Sequence, residues 1–125
     1  MDDKKTILAI DDNIQQLKEY KVFLVPKYDL RVVKSASDAR NFMKSNKSDI
    51  ILLDIEMPET SGFEFLDEIK KMESYANVPV IIASGNTGPE FMEKAEKSAA
   101  DGVLIKPVMS DSLIKTIEKA LDASQ

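Results

Sequence analysis

Asp54 follows directly on the apolar run Ile50 to Leu53, in the stretch "DIILLDIEMPETSG", and a carboxylate beside low-dielectric protein is costly unless something pairs with it. Other reactive residue types also stand where apolar runs end: Asp11 and Asp12 after "ILAI", Ser84 and Gly85 after "VPVIIA", Lys106 and Pro107 after "GVLI". The 125 residues contain no histidine and no cysteine. This excludes a Ser-His-Asp triad, a thiolate or histidine-ligated transition-metal site, a cysteine nucleophile, a disulfide, and a phosphohistidine formed on this chain. The chemistry left open uses carboxylates, hydroxyls, lysine and a hard cation.

Five short apolar runs carry those residues, at 6–10, 30–33, 50–53, 78–83 and 102–105, with helix-like stretches between them. Asn13 to Leu24 carries Ile14, Leu17, Tyr20 and Leu24 at helical spacing, starts on a good cap and stops before Pro26. Ser37 is placed as the cap of a helix that turns Ala39, Phe42 and Met43 inward. Thr60 or Ser61 starts one that buries Phe63, Leu66 and Ile69. Pro89 suits the first turn of a helix with Phe91, Ala95 and Ala99 on one side, and the last helix, from about Ser110 to Leu121, carries Leu113, Ile117, Ala120 and Leu121. Strands alternating with helices imply right-handed crossovers and a parallel sheet covered on both faces, a doubly wound α/β domain. Ligands of such sheets bind beyond the carboxyl ends of the strands, where the reactive residues lie.

The length suits one domain, 1–125, with a real core, and 43% hydrophobic residues fit a soluble globular class. With 17 basic against 22 acidic residues the net charge is −5, which argues against nucleic acid as a partner. "MDDKK" lacks the apolar stretch of a signal peptide and no run nears the roughly 20 residues that span a bilayer, so the expected location is cytoplasmic, off the membrane.

The motifs "ILAIDDN", "IILLDIEMP" with Gly62 following, "VPVIIASGN" and "GVLIKP", in that order, resemble those of the receiver domain of two-component response regulators, over essentially the whole chain. The resemblance implies a flavodoxin-like, five-stranded sheet in the order 2-1-3-4-5, an order for which a receiver is itself a standard example. Given that order, Asp11, Asp12 and Asp54 converge, and carboxylates so close raise one another's pKa unless a cation sits among them. Oxygen-only ligands suit Mg2+. By resemblance Asp12 and Asp54 bind it directly, the Glu56 carbonyl adds a ligand, and Asp11 acts largely through water. The resemblance also implies that Asp54 is the phosphoacceptor, that Lys106 and the Ser84 hydroxyl hold phosphoryl oxygens, and that Gly85, Ile55 and Glu56 bind the phosphoryl group. Pro107 fits the family's cis lysyl-proline turn. The implied donor is a phosphohistidine on a sensor histidine kinase or histidine phosphotransfer protein, or a small phosphodonor. No output domain follows Leu121, so the implied output is contact with a protein effector through the last two helices and fifth strand, unless the chain is a piece of a larger regulator or hybrid kinase. Lys94, Lys97, Lys115, Glu118 and Lys119 lie there and equally suit a solvated face.

Four positions bear on how closely the chain follows the pattern. The family commonly places a switching aromatic three residues before the lysine, and here that residue is Val103. The signal is then expected to travel through Ser84 and the "GNTGPE" loop. Glu56 and Asn86 occupy places that in this family tune access of the hydrolytic water, and Ser84 replaces the family's commoner threonine. An aspartyl-nucleophile phosphatase of the haloacid dehalogenase kind would want a second aspartate two residues on, where Glu56 stands. Flavin or nucleotide binding would want a phosphate loop, and neither GxGxxG nor GxxxxGK occurs. A non-phosphorylated docking module would usually have lost an acid or the lysine, and none is lost.

Overall fold

A computed structural model describes residues 4–58 and 60–124. Its elements run β1 (Thr6–Ile10), α1 (Ile14–Leu24), β2 (Asp29–Val33), α2 (Ala36–Ser45), β3 (Ile50–Asp54), α3 (Gly62–Lys71), β4 (Val80–Ser84), α4 (Pro89–Lys97), β5 (Gly102–Ile105) and α5 (Ser110–Ala123). The first three residues of "MDDKK" lie outside the described residues. All strand pairs are parallel and the order is β2-β1-β3-β4-β5, as the resemblance implies.

The apolar runs are continuous because side chains alternate between two covered faces. Ile7, Ala9, Ile50, Leu52, Ile81, Ala83 and Leu104 pack with Leu17, Tyr20, Leu24, Leu113 and Ile117 of α1 and α5. Leu8, Ile10, Ile51, Leu53, Val80 and Ile82 pack with Ala39, Met43, Phe65, Leu66, Ile69 and Phe91 of α2 to α4. Each large aliphatic side chain buried this way contributes about 1.5–3 kcal/mol. The run at 30–33 is less buried, with Arg31 and Val32 exposed, because β2 is an edge strand.

Several local expectations shift. Ser35, not Ser37, caps α2: its hydroxyl accepts the Asp38 N–H at 3.0 Å, the third residue on, which is where a capping oxygen reaches. Ile14 is half exposed, and Gln16 takes a buried place on α1 instead. Leu66 and Ile69 are buried as expected, but Phe65 joins them fully buried, while Phe63 lies at the edge of the stripe, only partly buried, and meets the Phe91 ring at 5.7 Å. Phe42 is likewise partly buried. α4 ends at Lys97, leaving Ala99 exposed beyond it. β4 starts at Val80, since the Val78 N–H turns back to the Tyr75 carbonyl and Pro79 has no N–H to give. Asn13 caps α1 as expected, accepting from Gln15 and Gln16 at 2.9 and 3.3 Å.

Candidate functional site at the carboxyl rim of the sheet

Register places the reactive residues. Ile10 pairs with Leu53, so Asp11 lies beside Asp54; Ser84 pairs with Ile105, so Lys106 follows next to it. The ladder runs one residue past the strands: Asp11 N–H donates to Val33 O at 3.1 Å, Ile55 N–H to Ala83 O at 3.0 Å, and Lys106 N–H to Ser84 O at 2.8 Å. These bonds fix the backbone under each side chain.

Asp11 and Asp54 are 1% and 3% exposed, whereas Asp12 is exposed to solvent. One carboxylate oxygen from each of the three lies within 4.8 Å of the others. Lys106 Nζ bridges the buried pair, 3.0 Å from Asp11 Oδ2 and 3.2 Å from Asp54 Oδ1. Asp11 Oδ1 also accepts the Asn13 N–H at 2.9 Å, and Asp54 Oδ1 accepts the Glu56 N–H at 3.1 Å. Burial, and then the Asp11 charge, push the Asp54 carboxyl up from 3.8 to about 6, against the opposing pull of the Glu56 N–H and Lys106. Burial works to lower the Lys106 ammonium, but its hydrogen bond to Asp11 and the charges of Asp11 and Asp54 outweigh this and raise it. The lysine is therefore held charged between two acids.

The remaining candidates surround this cluster unequally. Ser84 is fully buried and its Oγ accepts the Asn86 N–H at 2.9 Å. Gly85 N–H donates to Glu56 Oε1 at 3.0 Å. Ile55 belongs to the set expected to bind a phosphoryl group, but its N–H is spent in the ladder to Ala83 and its side chain is in the core. Asn86 Oδ1 accepts the Gly88 N–H at 2.8 Å, directly before α4, and so knits its own loop. The Lys106–Pro107 bond is cis, and Val103 is partly buried against the α2–α4 side of the core. Gly62 is required where it stands: a Cβ there would collide with the Ile55 backbone at Cα and O. Of the charged residues near the last helices, Lys94 lies over the Phe63 ring at 4.9 Å, Lys97 pairs with Glu93, and Glu118 pairs with Lys27.

Two buried residues of α1 have surroundings that the sequence does not announce. Tyr20 read as core, and it is core; burial, then the Asp11 and Asp54 charges, hold its phenol above the ordinary range, so the ring borders the acid cluster. Gln16, one turn earlier, buries an amide nitrogen that has no hydrogen-bond partner among the described residues. A glutamine in a first helical turn carries no sequence signal of burial.

The response regulator receiver domain family matches residues 7–118. The chain belongs to that family. Receiver domains are modules of phosphorylation-dependent signalling, and this chain is such a module. It is 29% identical over 117 residues to the CAI-1 autoinducer sensor kinase/phosphatase CqsS of Vibrio cholerae, a match that covers 91% of this chain and 17% of that protein. The receiver domain of Francisella response regulator 1452 superposes with a TM-score of 0.86 at 27% identity, covering 98% of this chain and 100% of that one. The chemotaxis response regulator CheY4 of Vibrio cholerae gives 0.85 at 25% identity, covering 94% and 98%. The receiver spans about a quarter or less of the curated relatives' length, at 17%, 23% and 26%. No helix among the described residues is long and apolar enough to cross a membrane.

Proposed function

We propose that Asp54 accepts a phosphoryl group from a phosphohistidine on a sensor histidine kinase or histidine phosphotransfer protein, and that the phosphorylated domain signals by contact with a protein effector. The observation that carries this reading is a buried aspartate at the end of the central strand, held against a second buried acid and a lysine. An Asp54 carboxylate oxygen forms the new O–P bond as the donor's P–N bond breaks; the electron pair leaves on the imidazole nitrogen, which takes up a proton. Lys106 then exchanges Asp54 Oδ1 for a phosphoryl oxygen, and the Ser84 hydroxyl and the Gly85 N–H donate to others.

The donor set fits Mg2+. Three carboxylates against one ammonium leave about two negative charges, their oxygens are within 4.8 Å of one another, and no histidine or cysteine competes. Asp12, Asp54 and the Glu56 carbonyl would hold the ion directly, with Asp11 acting through water. Bound there, Mg2+ supplies positive charge that offsets the charge on the transferring group. The domain promotes its own phosphorylation and dephosphorylation without being an enzyme on another substrate. With Val103 in the usual aromatic place, the 85–88 loop carries the signal toward α4.

The test is intact mass after incubation with magnesium and a small acyl phosphate. One phosphoryl group is expected on the wild-type chain, and none on Asp54→Asn or without magnesium. An unlabelled wild-type chain, where another receiver is labelled, would overturn the assignment.

A further inference from the structure

We infer that Glu56 is a positioning residue whose carboxylate occupies the Gly85 N–H in the unphosphorylated domain, so that the incoming phosphoryl group must displace it. This deepens, and rests on, the assignment of Asp54 as phosphoacceptor. The Glu56 backbone is pinned: its N–H donates to Asp54 Oδ1 at 3.1 Å, it forms an antiparallel bridge with Ser61, and the neighbouring Gly62 N–H donates to Ile55 O at 3.2 Å. Only the side chain is left to move. It reaches from the β3–α3 loop to the β4–α4 loop, where Oε1 accepts the Gly85 N–H at 3.0 Å.

Among the described residues, a Cβ built on Gly85 would meet Glu56 Oε1 at 3.8 Å and no other atom within 4 Å beyond its chain neighbours, so no other side chain packs against that Cα. The carboxylate thus holds an N–H that an incoming anion would also seek, beside the one side chain that gains anionic charge on phosphorylation. Two anions cannot share one N–H, and Glu56 is exposed, so it swings into water at little cost. Its departure unties the β3–α3 loop from the 85–88 loop, whose other hydrogen bonds among the described residues stay within the segment and α4: Asn86 N–H to Ser84 Oγ, Gly88 N–H to Asn86 Oδ1 and Met92 N–H to Gly88 O. Entry of the phosphoryl group is thereby coupled to release of the segment leading into α4. No aromatic ring is needed for it.

The experiment compares wild type, Glu56→Gln and Glu56→Ala in the full chain. Without donor, hydrogen exchange at the Gly85 amide is expected several-fold faster in the Ala variant than in wild type, with Gln, which keeps an acceptor, close to wild type. With magnesium and acetyl phosphate, mass gain is expected about threefold to tenfold faster in the Ala variant, the range for losing a charge-assisted but exposed hydrogen bond, with Gln in between. Equal Gly85 exchange in all three, or equal rates of mass gain, overturns the inference. A wild-type chain that gains no mass overturns the Asp54 assignment and the competition with it; mass gain at equal rates overturns the competition only.

Discussion

Both rims of the sheet carry aspartates, and the two rims treat them oppositely. At the amino rim Asp49 Oδ2 accepts the Thr6 N–H at 2.7 Å, and Asp101 Oδ2 accepts the Val80 N–H at 2.8 Å and Lys70 Nζ at 2.9 Å. Lys70 also donates to the Val78 carbonyl at 2.8 Å, which ties α3 to the start of β4. At the carboxyl rim Asp11, Asp12 and Asp54 crowd one another around one lysine. At the amino rim each acid meets the first N–H of a strand, and Asp101 has a lysine of its own; at the carboxyl rim the Asn13 and Glu56 N–H groups also donate, but three acids share one lysine. Acids at the first rim staple the fold. Acids at the second outnumber their one lysine, and that leaves the negative charge which the proposed cation would offset.

The largest test of this contrast is Asp54→Asn without metal. The folded-state value of about 6 against 3.8 means the folded chain binds the proton more tightly than the unfolded one, so this group's stabilisation is complete below pH 3.8 and is lost as pH rises through 6. At pH 7 the ionised Asp54 therefore costs about 3 kcal/mol, an upper figure from the same difference. Asp54→Asn is expected to melt higher than wild type at pH 7, with the gap closing near pH 4. Equal melting at both pH values would show the carboxyl rim to be as well compensated as the amino rim.

Magnesium should have a slightly smaller effect at pH 7. At a hundredfold excess over its dissociation constant it adds about 2.7 kcal/mol to wild type, read as a melting shift. Asp54→Asn should lose most of that gain and Asp101→Ala should keep it. Asp101→Ala itself is expected to cost about 2 kcal/mol in denaturant unfolding, because it strands the Val80 N–H and takes a partner from Lys70. Asp49→Ala, which loses one acceptor at a strand start, should cost about 1 kcal/mol. Stabilisation by either amino-rim change would erase the distinction between the rims.

Much of this contrast is legible in the chain, unevenly. Asp54 shows because a charge ends a fully apolar run, and Lys106 because a lysine ends another. Asp49 and Asp101 escape notice, since an acid before a strand reads as a turn residue. Ser37 reads as a cap because it is a serine beside a helical stretch; Ser35 is the cap because the hydrogen-bonded turn starts two residues earlier, at Ala36. Phe65 takes the buried place read for Phe63 because it stands four residues before Ile69 and beside Leu66 on the inward face, a choice that only packing against the sheet makes.

The sequence by itself determined the alternation of strands and helices, the two-faced burial of the central strands, and the placing of Asp11, Asp54, Ser84 and Lys106 at strand ends. Those are local matters, set by periodicity and by the cost of burying charge. The strand order followed from family resemblance, not from any local pattern. Only the tertiary structure decided that Lys106 bridges Asp11 and Asp54, that Ile55 spends its N–H on Ala83, and that Glu56 reaches Gly85. Those contacts join residues 28 to 95 positions apart, and they form only when the whole sheet has brought the loops at its rim together.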